Sequence, residues 1–515
     1  MRLSELIKNH RTWIFLLAIF NIAFHLFFYN TLGFHRDELL YFSLGQHPAA
    51  GYASVPPFTG IVAWIVIQTM GYSLFAVRLF PALLSGFYIL LGAGITKELG
   101  GGKYAQILTT VGMLVPPINL RVFYFFMPVC SDIIFWALFI FFILRWINYK
   151  KNQDLIFLGI TAGFGMLNKY LILLFIVSII VSLLFSSDRS LYKNRFFYLA
   201  LLIAVLIWVP NLIWQYVNNF PVLTHMKALH DSQLVHVDRM AFLTDQFFLG
   251  SMSMLLIIPG VFFGFISKGM RKWMTVMAAS LMVVLLLVLL RGKSYYTIGL
   301  MSLWIAYGAV FWERQLRSIT CRVILPFIMI ILTIPMVPMG MPVFRPNKLT
   351  SYFEGVRRTL GIDMMLRWET GRIHTLPQDY ADMLGWDEIA VQTSKAYHQI
   401  ADKEKAVIYA ENYGEAGAVM VLGKQYGLPE PLCFSESFYY WFPRKFPNEI
   451  TSAIYINSEL GSDIQSLFEK CSLVGTVTNP LAREYGVGVW PCTGPKVQFN
   501  RFLEERVREV SSPFE

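Results

Sequence analysis

Charge is scarce in this sequence. Asp, Glu, Lys and Arg make up 15% of its 515 residues, against 56% that are apolar, whereas soluble domains carry about 25% charge. The shortage excludes an ordinary soluble protein and assigns most of the chain to a bilayer, as does the mean hydropathy of +0.52. Cysteine is also rare. Cys130, Cys321, Cys433, Cys471 and Cys492 form no CxxC and no His/Cys spacing suited to zinc, so no structural metal is expected. No small-residue cleavage site follows the first apolar stretch, Trp13 to Tyr29, which is therefore read as a retained membrane helix. The absence of an evident internal repeat weakens an inverted-repeat transporter. The formal charge is +10, but the basic residues form short clusters rather than one stripe, which argues against a nucleic-acid partner and makes them a topology signal.

What is present is a series of apolar blocks ending near Met341. A helix needs about 17–25 such residues to cross the hydrocarbon core. Eleven candidates lie at 13–29, 74–96, 104–120, 129–147, 155–167, 170–186, 197–215, 242–266, 273–290, 295–312 and 322–340; the fifth is short for a span. The expected fold class is a multi-spanning α-helical membrane protein of about eleven transmembrane helices, residues 1–341, with a C-terminal soluble α/β domain, residues 342–515. In the latter, Ala406 to Tyr409 and Thr451 to Ile456 read as strands, and Gly414 to Tyr426 as a helix closed by Gly427.

Alternate connections are rich in Lys and Arg, beginning with Arg2/Lys8/Arg11 and ending with Arg314/Arg317/Arg322. The positive-inside rule then places the N-terminus in the cytoplasm and the C-terminal domain on the extracytoplasmic face of the inner (plasma) membrane. The same face receives the long connections Asn30 to Ser73 and Tyr216 to Ala241 and the short Arg291 to Ser294 link. Phe58 to Met70, too short to span, suits an interfacial helix.

The residues with chemistry collect on that face. Asp37 and Glu38 stand beside His35 and Arg36 just outside the first span. A carboxylate there is suited to deprotonating an acceptor and a cation to steadying a departing phosphate; alternatively, acids simply favour a helix N-terminus. Asp132 is either a second site acid or the N-cap of the fourth span. Lys169 and the Arg291/Lys293 pair break the positive-inside trend, which suits anion binding or snorkelling to headgroups. Tyr295 and Tyr296 fit a sugar or phosphate contact, or an aromatic belt. The loop from Tyr216 to Ala241 carries His225, Lys227, His230, Asp231, His236, Asp238 and Arg239, without a spacing specific for metal.

The segments FHRDELLYFSLGQH, GYASVPPF, AVRLFPALLSG, GFGMLNKY, PNLIWQ and RGKSYYTIG, with LPQDYADMLGWDEIA, AENYGEAGAVMVLGKQYGLPEP, FYYWFPR and VWPCTGPK in the tail, resemble the bacterial protein O-mannosyltransferase group. These are GT-C-type glycosyltransferases, related to the lipid A aminoarabinose transferases. The resemblance implies a polyprenyl-phosphate-sugar donor and outer-face transfer to a protein, lipid or glycan acceptor. It implies catalysis by Asp37 with Glu38 and Asp132, and matches Lys293, Tyr295 and Tyr296 to the family's site-facing segment; Arg36 and Lys169 join them as candidate phosphate contacts. Two departures stand out: Ser54 replaces a frequent Asp, and Val55 the Lys that precedes the paired prolines in the aminoarabinose enzymes. The expected mechanism is a single inverting displacement with no cofactor. Without a DxD pattern it is expected to be metal-independent, a divalent ion being left open. The competing reading is a transporter or flippase of lipid-linked sugars.

Overall fold

The computed structural model describes residues 9–232 and 234–511. Arg2 and Lys8 of the first basic cluster lie outside them, as does the side chain of His236.

Among the described residues seven helices are long and apolar enough to cross a membrane: His10–Phe27, Leu74–Glu98, Pro128–Tyr149, Arg195–Val217, Arg239–Ile266, Lys268–Leu289 and Ile319–Gly340. The bent pair Ile172–Leu184 and Ser187–Lys193, turned by 109°, raises the number to eight if counted as one span. The other three expected spans are helical but shorter or broken. Asn152–Asn168 has 17 residues. The expected 104–120 helix splits into Lys103–Leu114 and Pro117–Val122, because paired prolines remove backbone donors and force the preceding residue toward extended geometry. The expected 295–312 helix begins as a 3-10 turn, Ser294–Leu300, before Met301–Gln315. Trp136, Ile140, Val276 and Tyr307 are among the residues of the main core, where Trp136 stacks on Phe175 with centroids 5.2 Å apart.

The first long connection is folded. Arg36–Gln46 and Phe58–Met70 are helices, the second starting directly after Pro57, as the paired prolines suggest. Beyond Met341, strands β1 (Ala406–Ala410), β2 (Ser452–Asn457), β3 (Phe468–Cys471), β4 (Gly475–Thr476) and β5 (Gly488–Pro495) form one mixed sheet. Its order is β1-β2-β5-β3, with β4 also on β5. β1 and β2 are parallel, and β5 is antiparallel to its partners. Cys471 and Cys492 face each other across β3 and β5 and form a disulfide; Cys433 is buried and free. The expected helix at 414–426 is short α, then π, then 3-10, and ends at Gly427 with φ of 67°.

A second core joins this part to the first loop. Leu39, Phe42 and Leu44 of Arg36–Gln46 pack with Trp386, Ala416 and Val419. Two glycines permit the approach. A Cβ on Gly417 would lie 2.8 Å from Leu39 Cβ, and one on Gly414 2.9 Å from Arg36 Cγ.

Candidate functional site

The loop helix Arg36–Gln46 is fixed at its start by a capping box. His35 Nδ1 accepts from Asp37 N at 3.0 Å, and Glu38 Oε2 accepts from His35 N at 2.9 Å. This separates the two neighbouring acids. Glu38 is fully buried, pairs with Arg78 at 2.9 Å and accepts from Phe126 N at 2.9 Å. Arg78, equally buried, also donates to the Tyr124 carbonyl at 2.7 Å and the Gly33 carbonyl at 3.2 Å. Both oxygens of Glu38, a candidate catalytic residue of the sequence, are thus bonded to the scaffold, as a buried carboxylate must be.

Asp37 is half-buried, and its Oδ1 accepts from Tyr413 Oη at 2.9 Å. Tyr413 begins the short helix Tyr413–Gly417, capped by Asn412 and Glu415. Burial, and then the Asp37 carboxylate, raise the phenol's pKa far above its ordinary value, so it stays a hydrogen-bond donor. The Arg36 guanidinium lies over the Tyr413 ring, 4.1 Å from its centroid, with its Nε buried and lacking a hydrogen-bond partner.

The later membrane segments supply the other side. Lys169 follows the helix Asn152–Asn168, with its ammonium 4.7 Å from the Tyr296 ring centroid and 5.2 Å from that of Tyr295. Lys293 immediately precedes the 3-10 turn that carries both tyrosines. Burial lowers its pKa, Glu369 and Asp37 opposing this and Lys169 adding to it. Asp132 is buried and accepts from Trp136 Nε1 at 3.2 Å. The helix begins at Pro128 with Met127 as its cap residue, so neither Asp132 nor Ser131 is the N-cap. Asp132 sits one turn inside the helix, and Lys169 is the cation that acts on it. Among the described residues Arg36, Lys169 and Lys293 form no ion pair with a carboxylate within 4.0 Å. Cations without a carboxylate partner suit an anionic ligand.

Sequence reasoning missed Tyr413 and Glu436. Glu436 sits in the C-terminal part, and Asp37 and Arg36 act on it. Tyr413 lies in the AENYGEAGA segment quoted for the resemblance, the one signal that pointed to it. Also missed was the seam that docks this part: His35 Nε2 lies 4.0 Å from Asp382, which Arg483 holds at 3.2 Å, and Arg121 pairs with Asp379. Burial pushes the Asp382 carboxyl up to about 6, against the charges of His35, Arg483 and Arg36. The polar loop after Tyr216 forms the helix Pro221–Ser232, and no group of three or more His, Cys, Asp or Glu able to hold a metal occurs among the described residues.

Residues 54–214 match the family described as dolichyl-phosphate-mannose-protein mannosyltransferase. Asp132 and Lys169 fall inside that segment; Asp37 and Lys293 fall outside it. No curated protein matches the chain significantly by sequence. Among solved structures, ArnT from Cupriavidus metallidurans bound to undecaprenyl phosphate superposes with a TM-score of 0.59 at 15% identity, over 93% of this chain and 98% of that one. Its apo state gives a TM-score of 0.54 at 14% identity, over the same shares. The chain thus has the ArnT fold over nearly its whole length and resembles, over residues 54–214, the GT-C-type mannosyltransferase group to which its motifs point.

Proposed function

We propose that this chain is a glycosyltransferase of the inner (plasma) membrane that takes a sugar from a polyprenyl-phosphate-sugar and passes it to an extracytoplasmic protein, lipid or glycan acceptor. The observation that carries the reading is the arrangement around Asp37. A half-buried carboxylate, oriented by the Tyr413 phenol, shares this part of the protein with the cations Arg36, Lys169 and Lys293, which form no ion pair with a carboxylate among the described residues. The ArnT structure bound to undecaprenyl phosphate and the mannosyltransferase match support a lipid-phosphate donor.

In this mechanism Lys293 and Lys169 hold the donor phosphate, Tyr295 and Tyr296 line the space between phosphate and sugar, and Asp37 takes the acceptor proton. The acceptor atom attacks the anomeric carbon, the carbon–oxygen bond to phosphate breaks, and the configuration inverts. Fixed cations at the leaving group fill the electrostatic role that a metal ion plays elsewhere. Asp132 orients the Lys169 side of the site, and Glu38 acts through position, by anchoring the helix that presents Asp37. Residues 1–341 form the catalytic membrane part and 342–515 an extracytoplasmic part that completes the site. The Cys471–Cys492 disulfide supports that orientation, since such bonds persist in oxidising compartments.

The test is transfer of radiolabelled sugar from a panel of polyprenyl-phosphate-sugars in membranes holding wild type or Asp37→Asn at equal expression. Label leaving the lipid with wild type and not with the variant is the expected result. Label that crosses the membrane still attached to its lipid would replace the reading with a transporter.

A further inference from the structure

The membrane part holds a cleft that the mechanism above does not use. Helices Asn152–Asn168 and Arg195–Val217 touch closely because glycines face the contact: a Cβ on Gly159 would lie 2.4 Å from the Ala200 carbonyl oxygen, and one on Gly163 2.7 Å from Ile207 Cβ. The helix Ile172–Leu184 leans the other way, with Phe175 stacked on Trp136 and its main packing on Met274–Leu289. The gap between it and the close pair is a cleft of about 830 Å³, walled by Leu, Ile, Val, Ala, Phe, Met, Gly and Trp residues. Leu173, Leu201 and Val205 belong to this wall and are exposed, so the cleft opens sideways, toward lipid. Water needs about two to four polar partners to fill a space, and this wall is apolar. From Leu173 to Leu183 the wall runs about 15 Å along the helix axis, the depth of one leaflet in a hydrocarbon core of about 30 Å.

The two ends of the cleft differ. Near Lys169 it is bridged by Tyr170, whose phenol donates to Asn211 Oδ1 at 2.5 Å and whose ring meets that of Trp208 with centroids 6.0 Å apart. A lipid tail with its phosphate on Lys169 would have to pass this bridge. At the other end the chain turns by 109° between Ile172–Leu184 and Ser187–Lys193, and Leu191 of the turn is part of the cleft wall. Asn194 Nδ2 donates to Asn152 Oδ1 at 2.9 Å and Lys150 pairs with Asp188, so two basic connections meet here. The acids beside them are already engaged. Asp154 pairs with Arg145 at 3.2 Å, Asp188 with Lys150, and Glu98 accepts from Asn148 Nδ2 at 2.9 Å. Lys151, Arg189, Lys193 and Arg195 are exposed and form no ion pair with a carboxylate among the described residues.

We propose that this cleft is a binding site for an anionic diacyl phospholipid, its phosphate resting among Lys151, Arg189, Lys193 and Arg195 and one acyl chain filling the cleft. The charge pattern selects the occupant. A zwitterionic lipid brings its own cation to a cluster already in positive excess, whereas an anionic head group finds its counter-charges there, as in other basic pockets between membrane helices. The positive-inside rule marks this end as cytoplasmic, so the lipid comes from the inner leaflet, opposite the face assigned to sugar transfer. The assignment does not depend on the transferase reading.

The experiment titrates the purified full chain in detergent with dioleoylphosphatidylglycerol and, separately, with dioleoylphosphatidylcholine, counting bound lipid by native mass spectrometry. One phosphatidylglycerol per chain is expected at concentrations about tenfold below those needed for phosphatidylcholine. Arg189→Gln combined with Lys193→Gln, both at exposed positions, is expected to remove that preference with the thermal midpoint unchanged. Ala204→Phe, which puts a ring into the cleft, is expected to lower binding of both lipids. Equal binding of the two lipids by wild type, an undiminished preference in the Arg189/Lys193 variant, or full binding by Ala204→Phe overturns the assignment. Displacement of bound phosphatidylglycerol by equimolar polyprenyl phosphate also overturns it and gives the cleft to the donor's tail.

Discussion

At the scale of single residues, adjacent acids have opposite fates. Asp37 accepts from Tyr413 through one oxygen, whereas Glu38 places both of its oxygens on Arg78 and backbone donors. Asp37→Asn is expected to lower kcat about 10²–10⁴-fold, the usual contribution of a general base, with protein level and donor binding unchanged; a labelled-sugar release assay checks this. Glu38→Gln should instead unfold the loop. Breaking a buried ion pair costs about 3–5 kcal/mol, so the variant should show a lowered thermal midpoint and early proteolysis near residues 30–57. Lys293→Ala removes a cation from the leaving group and is expected to cost about 10²–10³ in kcat, measured in single turnover at saturating donor. Charged residues at membrane boundaries stand out in the sequence against apolar neighbours, and Arg36, Asp37, Asp132, Lys169 and Lys293 are candidates singled out by that contrast. Tyr413 and Glu436 were not, because a tyrosine or an acid in a polar tail has no such contrast.

At the scale of elements, the decisive contact is between the loop helix Arg36–Gln46 and the short helix Tyr413–Gly417. Gly414 and Gly417, three apart and so on one helical face, give the loop helix room to seat. Gly417→Val is expected to push Tyr413 away from Asp37 and reduce kcat about tenfold or more, the scale of a lost hydrogen bond to a charged group. The membrane helices should remain intact by circular dichroism; unchanged kcat would show that the glycines serve packing alone. Helix existence was legible in the hydropathy pattern, and the strands at 406–409 and 451–456 in their apolar, β-branched runs. Helix continuity was not. Hydropathy averages over the Pro116–Pro117 break and over the 3-10 start at Ser294, both of which depend on local backbone chemistry. Strand β5 also escaped, since Gly, Pro and Cys in VGVWPCTGP carry little β signal.

At the scale of the whole molecule, the membrane part and the C-terminal part share one apolar core and are joined by polar contacts such as Tyr413 to Asp37 and Arg121 to Asp379. A reporter enzyme active only outside the cytoplasm, fused after Glu515, is expected to be active, and the same reporter fused after Gly269 to be silent. Replacing Cys471 and Cys492 by Ser should destabilise the sheet by about 3 kcal/mol, for a loop of 21 residues, seen as a lowered denaturant midpoint for loss of the C-terminal fold.

The bond between Asp37 and Tyr413 spans 376 positions of sequence, which sets the timing of biogenesis. A nascent chain still leaving the ribosome has already inserted the helix that ends just before Asp37, but it lacks the phenol that orients the carboxylate and the wall that carries Glu436. The Asp37–Tyr413 pair forms only once the chain has been made past residue 413 and that part has folded onto the first loop. Under the proposed function, a copy that stops short of residue 413 would therefore lack an assembled centre with which to consume its donor.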